Sequence, residues 1–175
     1  IHYRSAYRQG PFIILNCGAI PEHILESELF GHVKGAFTGA IGSKRGLVED
    51  AHNGTLFLDE IGEMSPAMQI KLLRFLESGE LRRVGENQTR YVKVRLITAT
   101  NCDLHQAMEQ GAFRGDLYYR INVIPLHIPP LRERRDDIPR LCNYFLRKCA
   151  EKMHKPVTGI AKEAMTLLVN TSGRE

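Results

Sequence analysis

Apolar and polar positions alternate along the chain in two periods, one typical of buried strands and one typical of amphipathic helices. Four short apolar runs predict strands: 11–17, 55–61, 94–101 and 122–131. Helical spacing or helix caps mark six further segments: 21–31, 46–54, 65–80, 103–111, 136–155 and 159–170. Strands that alternate with helices predict an α/β domain with a parallel sheet.

The chain changes character after the apolar run at 122–131. Strands and helices alternate up to that point, whereas the remaining residues show helical patterns alone. We therefore predict an α/β subdomain over 1–132 and part of a helical subdomain over 133–175. A hairpin is expected at 81–94, because Gly85-Glu86-Asn87 stands between two extended segments.

Composition narrows the class of protein only slightly. The chain has 175 residues, 43% of them hydrophobic and 25% charged, which is the balance of a globular protein. A net charge of +4 suits a polyanion such as a nucleotide and gives no argument for DNA binding by this segment. No apolar run approaches the roughly 20 residues of a membrane span, and no signal-peptide pattern opens the chain. We expect a cytoplasmic protein without membrane association.

The cysteines and the two chain ends add two expectations. Cys17, Cys102, Cys142 and Cys149 show no zinc-ligand spacing, which predicts reduced structural thiols. The first residue is not methionine, and a helical pattern continues almost to the last residue. The chain is therefore expected to be a piece of a longer protein.

An acidic pair follows the second predicted strand. Asp59 and Glu60 end the apolar run in TLFLDE, the Walker B pattern, and ligands of open α/β sheets bind at the carboxyl ends of strands. A carboxylate there can hold Mg²⁺ through water, and a second can polarise an attacking water. The same pair also suits a strand end that caps the next turn, and the run alone fits both interpretations.

Neutral polar residues follow the other two strands. The third strand ends at Thr100 and Asn101, and the first ends at Asn16. In a parallel sheet these ends meet at one edge, where an amide can orient a water or hold Glu60 through a hydrogen bond. Turn formation is the alternative role of both asparagines.

Two arginines, Arg114 and Arg120, are candidates for phosphoryl-transfer chemistry. Six residues on a helix correspond to roughly 600°, so the two side chains do not form one patch. An arginine that reaches across a subunit boundary can stabilise the charge that develops in phosphoryl transfer. Surface ion pairing with Asp116 and similar groups is the alternative.

The segment KGAFTGAIG, residues 34–42, is rich in glycine but is not a phosphate-binding loop. The chain contains no G-x-x-x-x-G-K-[ST] motif, and residues 34–42 contain no lysine that follows the glycines and open no strand-to-helix unit. Phe37 would have no role in a phosphate cradle. Phe37 and Thr38 instead stand between small residues, where neither is expected to pack firmly.

In this order, the motifs resemble the AAA+ central domain of bacterial sigma-54 dependent transcriptional activators, the enhancer-binding proteins. The most specific stretch is ESELFGHVKGAFTGA, because the GAFTGA hexapeptide is nearly diagnostic of that family. Further stretches match in register: GTLFLDEIGEM, LLRFLESGELRRVG, VRLITATNCDL and FRGDLYYRINVIPLHIPPLRERRDDIP. The resemblance covers nearly the whole chain and implies a parallel sheet between helices, followed by the start of a helical lid.

The resemblance implies a nucleotide site with ATP and Mg²⁺ as cofactors. Asp59 matches the residue that holds Mg²⁺, through water, and Glu60 matches the residue that activates water. Asn16 matches the asparagine that pairs with that glutamate and couples the nucleotide state to the loop. Thr100 and Asn101 match the first sensor, so Asn101 joins the acidic pair in contacting the cofactor.

The resemblance also implies an oligomer and a protein partner. Arg114 and Arg120 match arginine-finger positions that act on a neighbouring subunit's ATP, which implies a hexameric ring. The loop that contacts sigma-54 matches six residues: Gly35, Ala36, Phe37, Thr38, Gly39 and Ala40. Two glycines remove backbone restriction, as a loop that extends and retracts requires. The hairpin around Arg82, Arg83 and Gly85 is expected beside it.

The implied function is to couple ATP hydrolysis to remodelling of the closed complex of sigma-54 RNA polymerase, and so to activate transcription. Two alternatives differ in what they need. Another AAA+ remodelling ATPase would share the acidic pair and the sensor but lack GAFTGA. A sigma-54 binding module that cannot hold ATP would keep the loop alone.

At its two ends the chain departs from the family pattern. The Walker A loop is expected upstream of Ile1. In the family's sheet order its strand lies between the third and fourth strands present. Without that strand, we expect the chain to expose apolar sheet edges and to associate. NTSGRE stands where the family has a WPGN segment of the second sensor, and Arg174 is not assigned to that sensor. Enhancer DNA is expected to be bound through a helix-turn-helix domain outside this chain.

Overall fold

Seven strands and seven α-helices are present in residues 1–170, the range that the computed structural model describes. The strands are β1 (Phe12–Asn16), β2 (Gly31–His32), β3 (Lys44–Arg45), β4 (Thr55–Asp59), β5 (Glu80–Leu81), β6 (Arg90–Tyr91) and β7 (Arg95–Thr98). The helices are α1 (Glu22–Phe30), α2 (Leu47–Asp50), α3 (Pro66–Ser78), α4 (Leu104–Glu109), α5 (Gly115–Ile121), α6 (Ile138–Lys152) and α7 (Lys162–Asn170).

A three-stranded parallel sheet with the order β1-β4-β7 organises the first part of the chain. Asn16 lies opposite Asp59 in the first pairing, and Leu58 lies opposite Thr98 in the second. The carboxyl ends of all three strands therefore meet at one edge of the sheet. The predicted α/β fold with a parallel sheet flanked by helices is confirmed.

The core lies where helices cover the central strand. Leu56 and Leu58 of β4 have no exposed surface, and neither do Leu29 of α1 and Leu72 of α3. Burying a leucine side chain stabilises a fold by about 1.5–3 kcal/mol relative to leaving it exposed. This apolar packing holds the sheet edge and the helices in a fixed relation.

Helix α3 begins and ends as its sequence predicts. Ser65 is the N-cap, with its hydroxyl accepting a hydrogen bond from the N–H of Met68, and Pro66 occupies the first turn. At the other end, Gly79 adopts a left-handed conformation with φ of 71° and donates its N–H to the carbonyl of Phe75. The 13-residue helix is thus fixed at both ends.

Two small antiparallel pairs flank this framework. The predicted hairpin over 81–94 forms between β5 and β6, with Leu81 opposite Arg90, and its two strands are shorter than expected. The pair β2–β3, which closes the loop over 33–43, was not predicted. Two residues on each strand are too few to produce a periodic sequence signal.

The prediction of a fourth strand over 122–131 is wrong. No strand forms in that segment, and Val123 and Ile124 are 75% and 79% exposed. Pro125, Pro129 and Pro130 lack the N–H groups that a strand needs to pair. In residues 1–170, β7 also pairs with β4 alone, so no strand stands at its second edge.

The chain divides into two compact units, Ile1–Ile124 and Pro125–Glu175. Helices α6 and α7 pack against each other in the second unit, which also holds two short 3₁₀ turns, Leu131–Glu133 and Arg135–Asp137. The division of subdomains at residue 132 stays a prediction, and Arg174 lies outside the described residues. None of the helices within 1–170 has the length and apolar content needed to cross a membrane.

We expect the 175-residue chain to self-associate, because the open edge of β7 and the exposed side chains of Val123 and Ile124 offer unpaired backbone and apolar surface. Ile124→Lys should raise the concentration needed for association by about tenfold or more, since burying an isoleucine is worth about 1.5–3 kcal/mol. Sedimentation equilibrium measures this shift. Gln110→Lys adds the same charge at an exposed polar position and should change little. A sharp, reversible unfolding transition of a monomer would contradict the expectation.

Candidate functional site

The acidic pair lies at the carboxyl end of the central strand. Asp59 is the last residue of β4, and its Oδ1 atom accepts a hydrogen bond from the N–H of Glu60 at 3.0 Å. Glu60 adopts the left-handed conformation, with φ of 52° and ψ of 47°. This conformation costs a residue other than glycine about 1–2 kcal/mol. It ends the strand, which is why β4 stops two residues before the predicted boundary at 61.

Asn16 stands beside this pair and caps a turn. Its Oδ1 atom accepts hydrogen bonds from the N–H groups of Gly18 and Ala19, each at 2.9 Å. The Oε2 atom of Glu60 occupies the space that a side chain at Gly18 would need. The turn after β1 therefore brings the carboxylate of Glu60 close to the residues that Asn16 organises.

The end of the third strand reaches the same edge. The N–H of Ile61 donates to the carbonyl of Ala99 at 3.0 Å, which ties the turn after Glu60 to the residues before Thr100. The hydroxyl of Thr100 accepts a hydrogen bond from the N–H of Cys102 at 3.2 Å. Asn101 is exposed. The structure thus brings together Asn16, the acidic pair and Thr100, as the strand ends predict.

The pKa of a buried thiol is affected by the negative charge at this edge of the sheet. Cys17, which follows β1, is 3% exposed, and its N–H donates to the carbonyl of Asp59 at 2.9 Å. Burial raises the pKa of the Cys17 thiol to about 12, and the negative charges of Asp59 and Glu60 add to the effect. All four cysteines are unpaired.

The two candidate arginines lie on another part of the unit. Arg114 is the N-cap of α5, and its guanidinium binds the carboxylate of Asp116 with distances of 2.6 and 3.0 Å. This hydrogen bonding lowers the pKa of Asp116. Arg120 donates to the carbonyl of Leu76 at 2.8 Å. Within residues 1–170, neither arginine forms an ion pair with Asp59 or Glu60.

The GAFTGA segment forms a closed loop on the β2–β3 pair. The N–H of Gly35 donates to the carbonyl of Ala40, and the N–H of Ala40 donates to the carbonyl of Phe37, each at 3.0 Å. Gly35 and Gly39 have φ angles of 80° and 100°, which favour glycine. A side chain at either glycine would meet no atom within 4 Å. Both glycines therefore face open space.

The aromatic side chain of this loop is held on one side. The residue Phe37 is 44% exposed, and its ring meets the ring of His32 edge-on, with 5.0 Å between the ring centroids. The Nδ1 atom of His32 in turn lies 2.7 Å from the hydroxyl oxygen of the buried Ser27 on α1. Phe37 therefore keeps about half of its surface available for a partner.

The hairpin over 80–91 lies against the base of the loop, as expected. The N–H of Val33 donates to the carbonyl of Val84 at 3.1 Å, and the N–H of Val84 donates to the carbonyl of Gly31 at 2.9 Å. A Cβ atom at Gly85 would lie 2.8 Å from the Cβ atom of Ala36. Glycine is required there because the hairpin and the loop approach so closely.

An ion-pair cluster holds the hairpin in place. The side chains of Glu49 on α2 and Arg83 are only 9% and 15% exposed, and they form a bidentate pair at 2.7 and 2.8 Å. Hydrogen bonding by Arg83 lowers the pKa of Glu49, and the charges of Arg90 and Arg45 contribute in the same direction. Arg90 also pairs with Glu86.

Three residues with a role in this geometry were missed from the sequence: Glu49, His32 and Gln69, whose buried side-chain oxygen accepts a hydrogen bond from the N–H of Arg114 at 2.9 Å. Only Gln69 has a signal in the sequence that could have identified it, because it is a polar residue on the apolar face of α3, between Met68 and Leu72. His32 and Glu49 depend on partners 5 and 34 residues away, and no local pattern identifies them.

Fold and site together define a domain of the AAA+ class: a parallel α/β sheet with an acidic pair at the end of its central strand. The sigma-54 interaction domain family matches residues 1–127, and the AAA+ ATPase lid domain family matches residues 132–172. The chain belongs to the sigma-54 interaction domain family.

Several characterised proteins are similar over almost the whole chain. The Nif-specific regulatory protein of Herbaspirillum seropedicae is 56% identical over 97% of this chain and 31% of its own length. The regulatory protein AtoC of Escherichia coli strain K12 is 54% identical over 96% of this chain and 36% of its own length. The chain spans about a third of the length of the curated relatives it matches.

The solved structures of NtrX from Brucella abortus share the fold. One is 37% identical with a TM-score of 0.87 and covers 97% of this chain and 38% of the NtrX chain. A second, in complex with ATP, is 37% identical with a TM-score of 0.84 and covers 98% of this chain and 38% of the NtrX chain.

Glu49→Gln should destabilise the fold by about 1.5–3 kcal/mol at pH 7, because hydrogen bonds to charged groups have this value and Arg83 loses the negative charge of its partner. The lowered pKa of Glu49 means that its contribution is present above the ordinary value of 4.5 and is lost as the pH falls through the lower folded value. The gap between variant and wild type in urea unfolding should therefore narrow below pH 4.5. Glu28→Gln, at an exposed pair with Lys44, should cost much less. Equal losses in the two variants would contradict this assignment.

Cys17 should resist alkylation by iodoacetamide in the folded chain. A pKa raised from 9.0 to about 12 lowers the thiolate fraction at pH 8 by about 10³-fold, and burial blocks access as well. Mass spectrometry of peptides over time should show the exposed Cys102 and Cys149 modified first. In urea all four thiols should react at similar rates. Equal reactivity of Cys17 and Cys102 in the folded chain would count against a buried, negatively charged surrounding.

Proposed function

We propose that the protein containing this chain hydrolyses ATP and uses the energy to remodel the closed complex of sigma-54 RNA polymerase, which activates transcription. Membership of the sigma-54 interaction domain family supports the partner, and the ATP complex of the similar NtrX supports the nucleotide. The observation that carries the proposal is the combination, in one unit, of an acidic pair at a strand end with the partly exposed GAFTGA loop.

At the sheet edge, each residue takes a distinct role. Asp59 would hold Mg²⁺ through water, and Glu60 would polarise the water that attacks the γ-phosphate. The Oδ1 atom of Asn16 accepts the two hydrogen bonds of the turn, so its Nδ2 group is the donor that would pair with Glu60. Thr100 and Asn101 would sense the γ-phosphate. The 175 residues contain no G-x-x-x-x-G-K-[ST] motif, so the proposal concerns the whole protein.

Hydrolysis in this proposal requires a ring of subunits. Arg114 and Arg120 would extend to the nucleotide of a neighbouring subunit and stabilise the charge of the transition state. Their exposed positions at the two ends of α5 suit such contacts, and within residues 1–170 they do not reach the acidic pair. A homo-hexamer, as in AAA+ rings, is the assembly that we propose.

The loop would be the part that contacts sigma-54. Phe37 offers a half-exposed apolar ring and Thr38 a hydroxyl, on a backbone that Gly35 and Gly39 leave free to change shape. The hairpin beside the loop, tied to it at Val84 and Gly85, would transmit movement from the nucleotide edge. Enhancer DNA would be bound by a helix-turn-helix domain outside this chain, in the cytoplasm of a bacterium.

Phe37→Ala in the full-length protein tests the proposal. The variant should lose nucleotide-dependent binding to sigma-54 and transcription activation, while ATP turnover remains within about twofold, because in residues 1–170 no hydrogen bond joins the loop to the acidic pair. Glu60→Gln should instead abolish most of the ATP turnover. It should lower kcat by about 10²-fold or more, which is the range for loss of a general base. Binding assays, turnover and in vitro transcription measure the three effects.

The matched control for Phe37→Ala is Ile41→Ala. It removes another exposed apolar side chain from the same loop, outside the hexapeptide, and should keep most of the binding. A Phe37→Ala variant that still activates transcription would contradict the assignment of the loop as the sigma-54 contact. A Glu60→Gln variant with normal ATP turnover would contradict the assignment of the nucleotide site to this sheet edge.

A further inference from the structure

A buried amide joins two segments that the proposed chemistry uses. The side chain of Gln69 on α3 has no exposed surface. Its Nε2 group donates to the carbonyl of Met64 at 2.8 Å and to the carbonyl of Ala112 at 3.0 Å, and its Oε1 atom accepts from the N–H of Arg114 at 2.9 Å. Both donors and one acceptor site are thus filled, all by backbone groups.

The two segments are far apart in the sequence. Met64 ends the 3₁₀ turn Ile61–Glu63, whose N-cap is Glu60. Arg114 is the N-cap of α5, which carries Arg120 in its last turn. Gln69 and Arg114 are 45 positions apart in the chain. One side chain therefore fixes the turn of the acidic pair to the start of the arginine-bearing helix.

Only an amide satisfies this geometry. A carboxylate would place negative oxygen against the carbonyls of Met64 and Ala112, which need a donor. An apolar side chain of the same size would leave two carbonyls and the N–H of Arg114 without partners, and a buried polar group without a partner is costly. The choice of glutamine at an apolar helix position thus follows from what its two ends contact.

We propose that Gln69 is a positioning residue, which fixes the backbone of Arg114 relative to the turn of Glu60 so that Arg114 reaches the neighbouring subunit's nucleotide. This inference rests on the proposed function, in which Arg114 acts across a subunit boundary. Asp116 orients the guanidinium of Arg114, and Gln69 fixes the position of the Arg114 backbone that carries it. A displacement of about 1 Å can cost about 10²-fold in rate when a group must meet a reacting centre.

Mixed rings of the full-length protein separate this role from a structural one. Gln69→Met alone should lose about 10- to 100-fold of ATP turnover, through misplacement of Arg114. Mixing with Glu60→Gln subunits, which keep their arginines but do not hydrolyse, should restore turnover, because Gln69→Met subunits then receive an intact Arg114. Mixing with Arg114→Ala subunits should restore nothing, because no subunit then supplies a placed arginine.

The controls distinguish the two proposals. Rings of Arg114→Ala mixed with Glu60→Gln subunits should recover turnover. If they do not, Arg114 does not act across subunits, and both the proposed ring chemistry and the role of Gln69 are wrong. Recovery in that control, with none for Gln69→Met mixed with Glu60→Gln, overturns the positioning role alone. Equal recovery of Gln69→Met by both partners also overturns it.

Hydrogen exchange gives a readout that does not depend on turnover. In the full-length protein, Gln69→Met should speed exchange of the Arg114 amide, with exchange in β1 and β4 unchanged. Slow exchange at Arg114 in the variant would contradict the hydrogen bond on which the inference depends. If Gln69→Met does not fold, Gln69→Asn, which keeps an amide but is one methylene too short to reach both segments, is mixed in the same way with the same expected outcomes.

Discussion

Hydrogen bonds along both edges of β4 hold the acidic pair in place. β1 pairs with one edge and β7 with the other, in parallel registers that put Asn16 opposite Asp59 and Thr98 opposite Leu58. Because parallel strands end at the same side of a sheet, three separate segments deliver polar side chains to one edge. The left-handed conformation of Glu60 then turns the chain out of the sheet and into α3. The contacts of Asn16, Glu60 and Thr100 at the sheet edge are built on this arrangement.

Helix α3 connects the two candidate functional regions of the first unit. At its first turns lie Ser65 and Gln69, next to the turn of Glu60 and the start of α5. At its end, Gly79 leads into β5 and the hairpin that rests against the loop. Thirteen helical residues span about 20 Å, and the fully buried Leu72 anchors the helix in the core. One continuous helix thus joins the residues around the acidic pair to the hairpin beside the loop.

The ion pairs of the unit differ in what they contribute. Lys44–Glu28 and Lys71–Glu26 are exposed to solvent, and pairs of this kind contribute about 0–1 kcal/mol each. Glu49 is different, because its carboxylate is nearly buried and is hydrogen-bonded by both nitrogens of the Arg83 fork. It fixes α2 to the hairpin, and through Val84 and Gly85 it fixes the base of the loop as well.

The sequence alone determined what depends on neighbouring residues. The caps of α3, the three paired strands with their polar ends, and the glycine-flanked Phe37 are local features, and the structure has them where the pattern indicated. Tertiary structure decided what depends on distant partners. A strand exists only if another backbone pairs with it, so the apolar run over 122–131 forms none. Gln69 and Glu49 acquire their roles from residues 34 to 45 positions away, and no local pattern encodes which groups the folded chain brings together.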